Sequence, residues 1–461
     1  MIHNRQQRSS MFTGLLLILL GVIFLLDRFD PSLGIGRLIR LYWPGLLILW
    51  GLAKLIDHLA ARRTGQDRAP ILSGSEAALL ILLAVILSAF TFRDWIRVHY
   101  PNLDVELPPF HQTYSRSEDL APRTISAGAR VSIETARGDI TVDGEEGNDL
   151  RVSVTKSAPA STDAAAGERM KDVTVVIEPV GDGYRIYPAR QDDFRGRVSV
   201  GLEVHLPKTA SVVAHTASGN IAATGIAGNM DVRAEHGDVV IHDAGADVTA
   251  ALQRGDARIL GVAGNVGLTG QGDDVEIADV AGDATVDGAF IGSIRVRNVA
   301  KTTRYTLRYG LRRLPWSEVS VTHLTGRLEL DAGDLALSGV TGAAKVVTHN
   351  KDIDVENVAG RLDIANVHGD IKVAFATPPR ADVNITNDAG AVDLTLPAES
   401  SFDVSAVSRS GAVESDFGDR SLTTANEGDT ERFHGHFGAK LGAPAITIAT
   451  SYGTIHLRKP R

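Results

Sequence analysis

From Ser218 to Val373, apolar and polar residues alternate in short runs that return at a fixed interval. Gly219-Asn220-Ile221, Gly237-Asp238-Val239 and Gly255-Asp256-Ala257 open successive 18-residue units, and Asp273-Asp274-Val275 continues them. Half a unit later a second series runs through Gly228-Asn229-Met230, Ala246-Asp247-Val248, Gly264-Asn265-Val266 and Gly282-Asp283-Ala284. Apolar columns keep the same period: Ile226, Ala244, Val262 and Val280 form one, and Ile241, Ile259 and Ile277 another. Within a unit the order is apolar-x-apolar, as in Val239-x-Ile241, the two-residue period of a strand. Short units that repeat in this way bury their apolar face against their neighbours. Gly supplies the positive φ of tight corners, and Asx side chains satisfy turn backbone. The expected fold is mainly β: a β-solenoid with two short strands and two corners per coil of about 18 residues, preceded by an α-helical transmembrane region.

The rhythm does not start at the first residue. Residues 11–26, 41–56 and 77–92 are apolar runs, the second charged only at Lys54. Each would be roughly 24 Å long as a helix, against a hydrocarbon core of about 30 Å. Flanking Arg8, Arg28, Arg40, Arg62, Arg63 and Arg93, with Tyr42, Trp43 and Trp95 at the edges, suit membrane interfaces. These runs are read as three spans in a 1–100 transmembrane region. Arg5, Arg8, Lys54, Arg62, Arg63 and Arg68 fall on one side, and Arg28, Arg37, Arg40, Arg93 and Arg97 on the other. That bias favours a cytoplasmic start and an extracytoplasmic solenoid. Residues 101–123, polar and proline-rich, read as a linker. Residues 124–210 read as an N-terminal β portion with a short helix at Ser161–Lys171, and 211–458 as the solenoid.

The solenoid has one irregularity. Three units beyond Val280 the count reaches Asp334, whereas the matching apolar residue is Val340, so six extra residues intervene. The break lies within 288–325. From Gly288 to Ser317 there is no acidic residue, while Arg295, Arg297, Lys301, Arg304, Arg308, Arg312 and Arg313 supply seven positive charges. With Tyr305 and Tyr309 they form a candidate strip for anionic ligands, either phosphate-rich envelope polymers or anionic lipid headgroups. The bland reading is a solvated face whose Arg stems cover apolar neighbours.

Other chemistry is thin. The chain has no cysteine, which excludes disulfides, thiolate metal sites and a thiol nucleophile. A formal net charge of −9 gives no footprint for nucleic acid. Asn220, Asp238, Asp256, Asp274, Asp334, Asp352 and Asp370 are expected to stack one per coil. Calcium-binding β-rolls need a denser Gly-Gly-x-Gly-x-Asp corner, so these Asx residues read as structural turn caps. A ladder of similar aspartates also lacks the unlike pair and cleft of a glycosidase. His434 and His436, two residues apart, make a weak metal pair. No catalytic residue, metal site or cofactor is expected.

Two regions carry a family resemblance. Gly14-Leu-Leu-Leu-Ile-Leu-Leu-Gly-Val-Ile-Phe-Leu-Leu-Asp27 and Trp43-Pro-Gly-Leu-Leu-Ile-Leu-Trp-Gly51 resemble the LiaI/LiaF-like membrane region of bacterial envelope-stress proteins. Leu202-Glu-Val-His-Leu-Pro207 leading into Thr216-Ala-Ser-Gly-Asn-Ile221, and Ile446-Thr-Ile-Ala-Thr-Ser-Tyr-Gly-Thr-Ile-His-Leu457, are similar to the adhesin-like β-strand-repeat family, a domain of unknown function. The resemblance implies a bacterial envelope protein held in the lipid bilayer, with an extracytoplasmic solenoid and no catalytic motif. Its partners would be envelope polymers, anionic lipids or a membrane signalling protein. A non-enzymatic role in adhesion, interaction or stress sensing follows, with a regulatory membrane partner or a glycan-active enzyme as alternatives.

Overall fold

The structure, a computed structural model, describes residues 112–189, 198–308, 315–439 and 442–460, all within a unit spanning 107–461. The three expected spans lie outside the described residues. Among the described residues, no helix is long and apolar enough to cross a membrane.

The chain is mainly β. Two parallel ladders run side by side, and consecutive strands alternate between them, so each coil gives one strand to each. On face A, Ile221–Thr224, Val239–Ala244, Ala257–Val262 and Val275–Val280 pair in order. On face B the succession is Ser211–Thr216, Met230–Ala234, Val248–Leu252, Val266–Gly272 and Ala284–Phe290. Each residue meets the one 18 positions on, as Ile241 meets Ile259 and Ile259 meets Ile277. All three isoleucines are fully buried, so the inward column is continuous. Outward positions are mostly polar or small, with Val213, Val240 and Leu260 among the exceptions, close to the alternation expected of a sheet wetted on one side.

The irregular segment contains one reversed coil. Ile294–Arg308 covers both faces, pairing in parallel with Val275–Val280 through its first half and with Ala284–Phe290 through its second. Pro315–Leu330 then returns antiparallel along its whole length. Asp334–Val340 reverses again on face A, and Ala344–Val347 resumes face B. The buried column therefore runs Val280, Val299, Leu324, Val340, Val358 without a gap. The six surplus residues belong to this detour.

Ladder order departs from chain order at both ends. The coil Arg130–Thr135 and Ile140–Glu145 sits between Gly183–Ala189 and Ser199–Pro207 on one side and Ser211–Thr216 and Ile221–Thr224 on the other. Near the far end, Ala445–Tyr452 and Ile455–Arg458 lie between Val383–Ala389 and Val392–Thr395 below and Phe402–Ser410 and Val413–Ser415 above. Phe402, Phe417 and Phe437 close the core there, with ring centroids 4.9–5.4 Å apart. Lys459 stands over two of these rings.

One segment differs from its sequence reading, and the expected short helix is present. Within the expected linker, Gln112–Asp119 is a strand antiparallel to Asp149–Ala160. It is exposed along nearly its whole length, so it has no apolar period to read, and hydroxyl pairs such as Ser115–Ser157 at 2.8 Å hold it. The short helix is Asp163–Lys171, capped by Thr162, whose Oγ1 accepts the Ala165 N–H at 3.2 Å.

Candidate functional site

The Asx residues form two ladders across the coils. Oδ1 of Asp139, Asn220, Asp238 and Asp256 accepts the backbone N–H of Asn220, Asp238, Asp256 and Asp274 respectively, at 2.7–3.0 Å. Asp274 passes the bond on to Ser293 N–H at 2.7 Å. At the opposite corner Asn229, Asp247, Asn265 and Asp283 do the same. The recipient is thus the equivalent residue of the next coil rather than the turn the side chain sits in. An amide oxygen serves as well as a carboxylate, which is why Asn and Asp interchange along each column. In the second block Asp352 and Asp370 accept from Asp370 and Ala391 N–H, both at 2.8 Å. Asp334 is in register with Asp352, but the Asp352 N–H bonds to the Gly333 carbonyl instead.

Glycine precedes most of these Asx residues, though Ala246, Asp273 and Lys351 hold the place before Asp247, Asp274 and Asp352; where the glycine has a positive φ, a side chain would be crowded. A Cβ on Gly237, whose φ is +141°, would stand 2.0 Å from the Gly219 carbonyl oxygen. A further column escaped sequence reading. Gly225, Asp243, Gly261, Asp279, Asn298, His323, Gly339 and Asn357 all have φ between +49° and +70°, one per coil, just before the face A corner. Gly, Asp and Asn are the residues that tolerate this conformation, so their alternation at the repeat interval was the available signal.

The basic strip divides. Arg295 and Arg297 face outward on face A, whereas Arg304 faces outward on face B and Lys301 stands at the corner between them. Arg297 binds Glu276 at 2.6 Å, and Glu276 also holds Arg258 at 3.0 Å. Arg295 donates to Ser293 Oγ at 3.3 Å. Among the described residues neither Lys301 nor Arg304 has an ion-pair partner. Tyr305 does not belong to the strip: its ring is in the core, 3% exposed, and burial pushes its phenol up to about 12. The alternation that turns Arg304 outward turns Tyr305 inward. Arg308 pairs through its backbone with Pro315, and Tyr309, Arg312 and Arg313 lie outside the described residues.

One cluster of metal-ligand type went unseen in the sequence because its members are far apart there. Asp143, Glu203 and His205 bring their donor atoms within 4.8 Å of one another on face A. His205 also lies 2.9 Å from Glu145 through Nδ1 and 3.3 Å from Glu203 through Nε2, and Arg151 pairs with Glu145. The group is partly exposed, and its imidazole and guanidinium already face its carboxylates. His434 and His436 do not act together: His436 binds Asp403 at 2.8 Å and the Gly438 carbonyl at 2.9 Å. A cavity of about 550 Å³ near Phe375 is lined by alanines, prolines and two glutamates, Glu356 and Glu399.

Comparison with known proteins follows this architecture. No curated protein matches the chain. Among solved structures, a candidate cell adhesion protein from Clostridium sporogenes is 9% identical, covering 76% of this chain and 100% of its own, with a TM-score of 0.17. An adhesin-like protein from Bacteroides fragilis is 8% identical, covering 75% and 97%, with a TM-score of 0.21. Residues 11–55 match the LiaI-LiaF-like transmembrane region, which associates the protein with a membrane. Toastrack DUF4097 matches residues 128–458, most of the chain and every coil of the stack, and the protein belongs to that family.

Proposed function

We propose that this is a non-enzymatic, multi-pass envelope protein that presents an extracytoplasmic β-solenoid as a rigid interaction surface for anionic envelope polymers or headgroups. The observation that carries the reading is the division of labour in each coil. Backbone and Asx groups are consumed by coil-to-coil bonds, leaving outward side chains as the variable element. On face B the row Thr285, Arg304, Ser320, Lys345 sets two cations and two hydroxyls in register. Arg304 has no ion-pair partner among the described residues, whereas Lys345 is paired with Glu318 at 3.6 Å. Hydroxyl-flanked arginine of this kind suits phosphate oxygens.

The test uses the full chain in neutral nanodiscs, mixed with anionic and with neutral vesicles at low and high salt. Binding to the anionic vesicles that weakens with salt and disappears in the Arg304→Glu, Arg308→Glu, Arg312→Glu variant supports the reading. Unchanged binding in that variant sinks it. Protease accessibility in intact cells tests the sidedness.

A second reading draws on the match at residues 11–55: the spans act on a membrane signalling protein and the solenoid modulates them. Stress signalling that survives deletion of residues 124–458 favours it.

A further inference from the structure

The coil Ala445–Tyr452 and Ile455–Arg458 occupies a place that the sequence offers to another. Two coils of the second block follow one another at 21 residues: Leu362 meets Val383, Asn366 aligns with Asn387, and Ile371 meets Val392. The next step of 21 from those residues gives Val404, Ser408 and Val413, with Gly390 leading to Gly411 as Gly369 leads to Gly390. The link is also the same length, since Val383 follows Ala374 by nine residues and Val404 follows Thr395 by nine. By pattern, corner and reach, Phe402–Ser410 and Val413–Ser415 form the next coil in sequence. In the structure they do not touch the preceding coil through any ladder. Val383 pairs with Ile446, and Ile446 with Val404; Val392 pairs with Ile455, and Ile455 with Val413.

The inserted coil fits, but its seam is imperfect. A column of buried polar side chains runs through this corner. Thr348 Oγ1 donates to Asn366 Oδ1 at 2.8 Å, Asn366 Nδ2 to two carbonyls, and Ser408 Oγ to the Gly453 carbonyl at 2.8 Å. Where the insert meets its lower neighbour, Asn387 and Thr450 are register partners, yet Asn387 Oδ1 and Thr450 Oγ1 are buried without a hydrogen bond. Such orphans cost free energy that a fully paired seam would not. In the sequential arrangement Ser408, which here donates to the Gly453 carbonyl, would take the place of Thr450 beside Asn387.

We propose that this end of the stack has two packings: the threaded one seen here, and a sequential one in which 402–415 docks directly on 383–395 and 445–458 is displaced. The two share the same inward pattern and the same glycine corner, and differ by one coil of ladder. A chain folding from its start meets the sequential partner first, and the threaded state then requires insertion of 445–458 between coils already in contact. The displaced segment is an extended strand, glycine corner and strand with both edges unpaired, so the switch exposes or hides a β-pairing surface.

The absence of native cysteine makes the test direct. On face B, Thr386 is in register with Ala449, and Ala449 with Val407, all three pointing outward. Adjacent coils, about 4.8 Å apart, are within disulfide reach, whereas residues two coils apart, about 9.6 Å, are not. In the full chain, Thr386→Cys with Ala449→Cys reports threading, and Thr386→Cys with Val407→Cys reports the sequential state. Arg233→Cys with Thr269→Cys, two coils apart in the first block, is the control that stays open. Under mild oxidation the threaded pair closes in most molecules and the sequential pair in a smaller fraction that accumulates as it is trapped. Gly453→Val, whose side chain would meet the Gly390 carbonyl, raises the sequential fraction severalfold. If Gly453→Val does not fold, the unmodified background decides alone. A sequential pair that stays open while the threaded pair closes overturns the proposal, as does closure of the control to the same extent as the sequential pair.

Discussion

Arg185 clamps Glu134 with two hydrogen bonds, Nη2 to Oε2 at 2.7 Å and Nε to Oε1 at 3.1 Å. The pair joins Gly183–Ala189 to Arg130–Thr135, the coil inserted at the near end of the stack. The Arg185 hydrogen bonds hold the Glu134 carboxyl below its usual range. A depressed carboxylate contributes stability above its unfolded pKa, and that contribution fades as pH falls through the folded value.

Glu134→Gln is therefore expected to lower stability at pH 7 and to match the unmodified protein in acid, below the carboxylate range. Urea midpoints at neutral and acidic pH measure this. The difference at pH 7 is modest, because the pair is partly exposed. An equal deficit at both pH values would mean that packing, not charge, is what Glu134 provides.

Tyr305 titrates in the opposite direction. Burial raises its phenol to about 12, against about 10 unfolded, so the neutral ring stabilises the fold below pH 10 and that gain is lost as pH rises toward 12. Tyr305→Phe should remove about 2–3 kcal/mol of the alkaline decline while leaving neutral stability within about 1 kcal/mol. Denaturant midpoints between pH 8 and 12 follow the divergence.

At the Asx ladder, identity of the acceptor matters and charge does not. Asp256 accepts from Asp274 N–H at 3.0 Å and its own N–H binds Asp238 at 2.9 Å. Asp256→Asn should lie within about 0.5 kcal/mol of the parent, and Asp256→Ala should cost about 1 kcal/mol. Chemical denaturation of the two variants side by side separates them. A large loss in the Asn variant would give the carboxylate a second role.

Gly237→Ala and Gly147→Ala isolate crowding from conformation. Both residues have positive φ, +141° and +120°, but only at Gly237 would the new carbon strike a carbonyl; nothing lies within 4 Å at Gly147. The first is expected to cost more than about 3 kcal/mol and the second about 1–2 kcal/mol, read from thermal or urea unfolding.

How far the fold was legible depends on what each device does to the alternation of side chains. Ile241, Ile259 and Ile277 announce their shared row because equal coils repeat equal residues. The reversed strand Pro315–Leu330 was visible only as lost phase, since in-out alternation reads the same in either direction along a strand. The inserted coil at 445–458 was hidden for a stronger reason: 402–415 carries the pattern and spacing of the next coil, so the local sequence points to a neighbour it does not have. Asp143, Glu203 and His205 converge only through the pairing of Ile140–Glu145 with Ser199–Pro207, which no short-range pattern specifies. Of the basic strip, spacing along one strand gave proximity in sequence. It did not register that a strand turning the corner at Lys301 divides its charges between two faces.

Pro315–Leu330 has one more effect. A column of near-identical units is open to slippage by a whole unit, since every residue would find an equivalent partner one step away. This antiparallel strand stands between the two blocks, and its bulges and the pairings on either side of it break the 18-residue equivalence there. It therefore indexes both blocks, and an error of frame on one side has no route to the other.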